Sequence, residues 1–404
     1  MRLLKPLVAG STKGLDPVRK VLATSLRRWK ALLIPLLGVG LLAVAALLVG
    51  GWCYSDALKD GVLVPDRETP KLDLEVTAVD REAITLHVTE DTDKDGDWRK
   101  KGVFGLEWEG GYGQVGAIQE FDDQHVVRQY KPVRGTPKVG DRVRLDSFAF
   151  AGDPAQAFGL PFEEVRFTSP LGDFPAWFVS GPRDTWMIFV HGRGADREEA
   201  LRVLPTFARL GFPSLIITYR NDVETPSSPD GFYRYGETEW QDLQGAAEYA
   251  IQHGARNLVL VGYSMGGGIV LNFLYQSQIS DRVVAAILDA PMLDFDATVD
   301  WGARNRFAPG LLMAVAKKIA ALRFHVRWDK LDYLKRVGQL RVPILIFHGD
   351  ADDAIPVDTS DTLASARPDI VTYVRVPGAG HVRSWNADPE AYENALRTFL
   401  ARNY

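Results

Sequence analysis

The sequence predicts an α/β fold, with a mostly parallel central sheet and helices on both faces. Two observations carry this. Between residues 165 and 404, short apolar runs rich in β-branched residues recur, and helical stretches separate them. That alternation is the mark of a parallel α/β sheet, whose strands are buried on both sides. A third observation adds two parts ahead of it: an unbroken apolar run, then a segment with a period of two. The expected organisation is a basic tail (1–30), a transmembrane helix (31–52), a linker (53–70), a small β-rich module (71–160) and an α/β domain (165–404) with a cap inserted at about 293–340.

The 404 residues suffice for a large core plus an accessory module. A hydrophobic fraction of 46% and a charged fraction of 25% exclude wholesale disorder. Charge is unevenly spread: residues 1–30 carry eight Lys/Arg against one acid, Asp16, while the rest is acidic. An acidic body argues against a nucleic-acid partner and gives the tail a separate role. The one cysteine, Cys53, excludes an intrachain disulfide and a thiolate metal site.

Ala31 to Trp52 is 22 residues without a charge. As a helix it reaches about 33 Å, enough to cross a hydrocarbon core of roughly 30 Å. Pro35 is expected near the helix start, where its missing donor costs least. Arg27, Arg28 and Lys30 precede the run; Asp56, Lys59 and Asp60 follow it. The positive-inside rule makes this a single-pass protein of the cell membrane, N-terminus cytoplasmic and remainder extracytoplasmic. A cleaved signal peptide would have a shorter apolar run and a shorter leader. A lipoprotein signal ending at Cys53 would need a small residue where Trp52 stands. A buried core helix would not be apolar on all faces.

Residues 54–70 read as linker, with Gly61, Pro65 and Pro70. In the β-rich module, Leu72–Val76 and Ile84–Val88 alternate, and Val126–Tyr130 and Val143–Phe148 follow between Gly/Pro turns. Asp91-Thr92-Asp93-Lys94-Asp95-Gly96 fits half of a calcium loop. Gly102 stands where the bidentate Glu belongs, so an acidic hairpin turn is the better reading and no metal is implied.

The expected strands of the α/β domain are Met187–His191, Ser214–Tyr219, Asn257–Gly262, Ala285–Leu288 and Ile344–Phe347. The expected helices are Ala195–Leu210, Glu237–His253, Met265–Gln276 and Pro389–Ala401; Gly211 and Gly254 are stop signals. Leu293–Leu340 is longer than a crossover needs. Its helical stretch Leu311–Leu322 suggests a cap over the sheet's C-terminal edge. There, Trp301 and Trp328 either line an apolar pocket or pack the cap.

The run Gly262-Tyr263-Ser264-Met265-Gly266 follows a strand and opens a helix. G-x-S-x-G alone is weak, but between a strand and a helix it is a sharp elbow that exposes a serine hydroxyl as a nucleophile. A glycine-rich phosphate loop is disfavoured, because no Lys-Ser/Thr pair follows and G-x-G-x-x-G is absent. The hydroxyl needs a base. Of seven histidines, His381 alone follows the last expected strand, in the flexible loop Pro377-Gly378-Ala379-Gly380-His381. His87 and His125 fall in the module, His253 at a helix end and His325 in the cap. His348 ends a strand and reads as structural. The imidazole needs a carboxylate to fix its tautomer. Asp352 is the choice within His348-Gly349-Asp350-Ala351-Asp352-Asp353. Asp350 and Asp353 are then turn or surface acids, and Asp289 is the alternative. For the oxyanion hole, the backbone N–H of Met265 is one donor. Arg193, in Phe189-Val190-His191-Gly192-Arg193-Gly194, supplies the second, and its side chain is a candidate contact for an anionic substrate. One such donor typically lowers a barrier by about 3 kcal/mol.

With these motifs in order, residues 165–404 resemble the α/β-hydrolase superfamily. Within it they look like the prolyl-oligopeptidase and serine-aminopeptidase side, in particular its membrane-anchored serine hydrolases. Tyr219-Arg220-Asn221-Asp222 and Glu239-Trp240-Gln241-Asp242-Leu243 are similar to bacterial exported members. The expectation is a cofactor-free serine hydrolase acting through an acyl-enzyme on an ester, thioester or amide. The substrate is a small molecule, lipid or short peptide, with esterase or lipase-like activity favoured over peptidase. Acyl transfer to another alcohol is an enzymatic alternative. A non-catalytic, membrane-anchored binding protein is the alternative of another class.

Overall fold

The computed structural model describes residues 16–67, 69–93 and 96–403. The first half of the basic tail, and Lys94 and Asp95 of the acidic turn, lie outside the described residues.

The N-terminal helix spans Asp16–Leu58 and runs into one π-helical turn, Lys59–Leu63. It is long and apolar enough to be a membrane span or a signal sequence. Pro35 is therefore interior, not near the start, and removes one rung of the helix. Residues 53–63 were expected to be linker; they are helical instead, and they dock. Leu63 is buried in the main core, its carbonyl accepts from Tyr233 N at 2.8 Å, and the Val62 carbonyl accepts from the Tyr235 hydroxyl at 2.8 Å.

The β-rich module is a closed antiparallel barrel. Its strands are β1 (Leu74–Val79), β2 (Ala83–Val88), β3 (Phe104–Trp108), β4 (Gly111–Phe121), β5 (His125–Arg134) and β6 (Arg142–Asp146), in the order β1-β2-β5-β4-β3-β6. Val76, Ile84, Leu86, Leu106, Val126 and Val143 fill it, as the alternating pattern requires. Arg128 is fully buried among them. Its guanidinium donates to the carbonyls of Trp98, Lys100, Gly102 and Gly116 at 2.9–3.2 Å, which satisfies the buried charge and ties the loop 97–102 to the barrel wall.

The large sheet has eight strands: β7 (Glu163–Ser169), β8 (Gly172–Val179), β9 (Thr185–Val190), β10 (Ser214–Ile217), β11 (Asn257–Tyr263), β12 (Val283–Asp289), β13 (Ile344–Gly349) and β14 (Val371–Val376), ordered β14-β13-β12-β11-β9-β10-β8-β7. The run from β14 to β10 is parallel. The hairpin β7–β8 closes one edge antiparallel. That hairpin and β14 were not expected: β7 and β14 are edge strands, half-exposed and without a continuous apolar run, and Pro175 interrupts the buried run of β8. The expected helix Ala195–Leu210 is broken into a 3₁₀ segment, Arg197–Arg202, and a short helix, Leu204–Arg209. Pro205 lies in the first turn of that helix, where its missing donor is harmless. Helix Met265–Gln276 forms as expected.

Between β12 and β13 the cap contributes helices Phe295–Asn305 and Gly310–Phe324 and a 3₁₀ segment, Tyr333–Gln339. Trp328 stacks on Phe295 at 5.4 Å, and its indole donates to Lys317 O at 3.1 Å. It packs the cap.

The barrel docks on the α/β domain through Asn386. Val103 N donates to Asn386 O at 2.9 Å, and Asn386 Nδ2 donates to the carbonyls of Val103 and Ser147 at 2.7 and 2.8 Å. Asn386 is fully buried. Asn386→Ala leaves two part-buried carbonyls, those of Val103 and Ser147, short of a donor, at about 1 kcal/mol each. Chemical denaturation of the variant is expected to show a loss of about 2 kcal/mol, with hydrogen exchange accelerated first at Val103 and Ser147. Unchanged exchange there would contradict this account of the docking.

Candidate active site

Ser264 sits between β11 and the helix Met265–Gln276 at φ 49°, ψ −116°. This strained conformation needs close backbone approach on both sides. A Cβ on Gly262 would lie 2.7 Å from Gly266 O, and one on Gly266 would lie 2.1 Å from Val190 O. Only glycine fits either position. The turn is pinned by Ser264 N donating to Asp289 O at 3.0 Å and by Met292 N donating to Ser264 O at 2.9 Å.

His381, in the loop after β14, brings Nε2 to 2.9 Å from Ser264 Oγ and Nδ1 to 2.8 Å from Asp352 Oδ2. Asp352, after β13, also receives the N–H groups of Ala354 and Ile355 on Oδ1 at 2.9 and 2.8 Å. The three side chains separated in sequence thus form one hydrogen-bonded chain. Asp350 accepts from Gly378 N at 2.7 Å, and Asp353 is exposed. Asp289 does not reach His381; it accepts from the Ser384 hydroxyl at 3.0 Å.

Burial disfavours charge on both partners, but their attraction wins. Next to Asp352, His381 is held above the ordinary imidazole value. Despite burial, His381 and His348 hold Asp352 well below the usual carboxylate range. Asp289 goes the other way, pushed up to about 6 by burial.

Met265 opens its helix, so its N–H has no partner one turn back. Arg193 follows Gly192 in the turn after β9. The Gly192 N–H is taken by Glu199 Oε2 at 2.7 Å, while a Cβ on Gly192 would lie 3.1 Å from Ser264 Cβ. The turn therefore runs directly beside the serine. The Arg193 side chain donates through Nη2 to Gly61 O at 2.5 Å, which ties it to the segment after the N-terminal helix and leaves its other N–H groups for a substrate anion. His191 is buried; despite that, Asp222 raises it to about 9, so both ring nitrogens donate, to Asp222 Oδ2 and to Gly192 O, each at 2.8 Å.

Three further side chains support the site in roles that the sequence does not spell out. His348 is fully buried and places Nε2 3.2 Å from Asp352 Oδ2, with Nδ1 2.8 Å from Ser360 Oγ. Glu199 and Asp222 brace the turn after β9. His348 read as structural from its place at a strand end, and Asp222 stood in the segment Tyr219-Arg220-Asn221-Asp222 similar to exported members; Glu199 left no signal, since its role arises from folding back.

A hydroxyl hydrogen-bonded to an oriented imidazole can attack an electrophile. Asp352→Asn is expected to slow Ser264 labelling by a fluorophosphonate by roughly 10,000-fold, through loss of the correct tautomer. Asp353→Asn is expected to leave it within a factor of about two, as exposed surface changes usually do. The reverse order of effects would move the acid.

The protein-family comparison matches residues 187–395 to the alpha/beta hydrolase family and residues 75–146 to a domain of unknown function, DUF8805. The chain is 24% identical to the uncharacterized protein YqkD of Bacillus subtilis over 59% of this chain and 79% of that one. It is 24% identical to the uncharacterized protein Rv2307c of Mycobacterium tuberculosis over 64% and 86%. Among solved structures, an esterase of Pyrococcus furiosus, Pf2001, superposes with a TM-score of 0.51 at 17% identity, covering 63% of this chain and 97% of that one. From its sheet order, its serine elbow and the family match over residues 187–395, the chain belongs to the alpha/beta hydrolase family.

Proposed function

We propose that this chain is a membrane-anchored serine hydrolase that cleaves carboxylic esters on the extracytoplasmic side. The observation that carries the reading is His381, bridging Ser264 Oγ at 2.9 Å and Asp352 Oδ2 at 2.8 Å. Ser264 Oγ attacks the acyl carbon while His381 Nε2 takes its proton. The carbonyl oxygen becomes an oxyanion, held by the N–H groups of Met265 and Arg193. Asp352 stabilises the imidazolium, which then protonates the departing alcohol. Water, deprotonated by the same imidazole, attacks the acyl-enzyme; the carboxylic acid leaves and Ser264 regains its proton. The residues complete this cycle among themselves.

Esters are favoured over amides because the Pyrococcus furiosus structure of like fold is an esterase. A cleft of about 430 Å³ beside the turn after β9, lined by Gly194, Trp177, Tyr233 and the segment Pro65–Arg67, is a candidate site for part of the substrate. The anchor reading rests on the apolar helix and its basic flank.

Activity requires neutral His381. Because its pKa is raised, kcat/KM for a p-nitrophenyl ester is expected to rise with pH through a midpoint above the ordinary imidazole value of about 6.5. A midpoint below that would contradict the proposed base. Ser264→Ala is expected to abolish both turnover and fluorophosphonate labelling of the full-length protein; labelling that persists elsewhere would sink the serine assignment. On intact cells, added protease is expected to reach the catalytic domain, and full protection would reverse the orientation.

A further inference from the structure

The cap helix Gly310–Phe324 carries three stripes. Met313, Ala316, Ala320 and Phe324 are buried toward the core. Leu312, Val315, Ile319 and Arg323 meet the N-terminal helix. A Cβ on Gly50 would lie 2.9 Å from Leu312 Cδ1, and one on Gly51 would lie 2.6 Å from Val315 Cγ1. These two glycines let the helices approach this closely. Arg323 donates to Ser55 Oγ at 2.7 Å and Asp56 Oδ1 at 2.8 Å, and sits 3.6 Å over the Trp52 ring. The third stripe, Leu311, Ala314, Lys318 and Leu322, is exposed. It lies one residue, about 100° of helix, from the contact with the N-terminal helix.

The exposure on this side is large. Leu311 is 66% exposed, Leu322 79%, and Phe307, in the turn before the helix, 94%. Scattered surface apolar residues need no explanation, but a set beside a candidate span does. Depth can be read from the contacts. Leu312 pairs with Gly50, inside the apolar run, and Arg323 pairs with Trp52 through Asp56, at its polar end. The cap helix therefore rises away from the apolar run, with Leu311 and the Phe307 turn at its low end. Lys318 has a stem long enough to carry its charge back to the interface.

We propose that the Phe307 turn and Leu311 are seated among the lipid acyl chains of the extracytoplasmic leaflet, beside the N-terminal helix, with Lys318 and Leu322 rising from there to the interface. The surface is continuous with that helix, and its apolar side chains leave water there. This rests on the reading of the N-terminal helix as a retained span. The cap then opens next to the lipid phase and not to bulk water.

The test uses the full-length chain, with Cys53→Ser, in phosphatidylcholine vesicles. Phe307→Cys and Leu41→Cys are each labelled with an environment-sensitive fluorophore, and emission is compared in brominated and unbrominated lipid. Retained fluorophosphonate labelling verifies folding. The expected result is that bromination at least halves emission at both positions. Quenching at Leu41 but none at Phe307, with Phe307 quenched instead by aqueous iodide, would overturn the proposal and leave the span intact. No lipid quenching at either position would overturn both.

Discussion

The left-handed turn at Ser264 is the constraint on which the site depends. An L-residue at φ 49° is strained, and the strain persists only because the surroundings over-determine it. Gly262 and Gly266 remove the two Cβ atoms that would collide. The carbonyl of Asp289 holds the serine N–H, and Met292 holds its carbonyl. The same geometry brings the helix Met265–Gln276 against the end of β9. The serine hydroxyl, the Met265 N–H and the turn after β9 thus face one small volume.

Charge is then distributed by donor count. Asp289 and Asp352 end adjacent strands, β12 and β13, and both are buried. Four donors point at Asp352: two imidazole nitrogens and two backbone N–H groups. At Asp289 burial outweighs the Arg202 charge and the Ser384 and Tyr392 hydroxyls, of which Ser384 donates at 3.0 Å. The first carboxyl is held low and the second is pushed up to about 6. Burial alone raises a carboxyl; donors and cations reverse it. That contrast explains why the later aspartate suits an imidazolium partner.

The accessory parts reach the loops that carry the site. The barrel contacts the histidine loop: Arg383 donates to Asp97 Oδ2 at 2.9 Å and to His381 O at 2.9 Å. The segment after the N-terminal helix meets the turn after β9 through Arg193 and Gly61, and the tyrosine segment through Tyr233 and Tyr235. An eight-stranded sheet is rigid where strands pair, whereas its C-terminal loops need support. Here that support comes from segments distant in sequence.

The sequence by itself determined the α/β class, the serine elbow and the order of Ser264, Asp352 and His381. Those are local matters: strand period, glycine placement and residues at strand ends. It also marked the apolar helix, since a charge-free run of this length is legible without any partner. Tertiary structure alone decided the rest. The sequence favoured Asp352 and kept Asp289 as an alternative; what separates them is which strand end the histidine loop crosses. The roles of His348, Glu199 and Asp222 depend on hydrogen bonds across folded segments. The docking of residues 53–63, which read as linker, depends on a buried leucine finding Tyr233 and Tyr235. None of these leaves a periodic or spaced trace, because each is a contact between surfaces that come together only when the chain has folded.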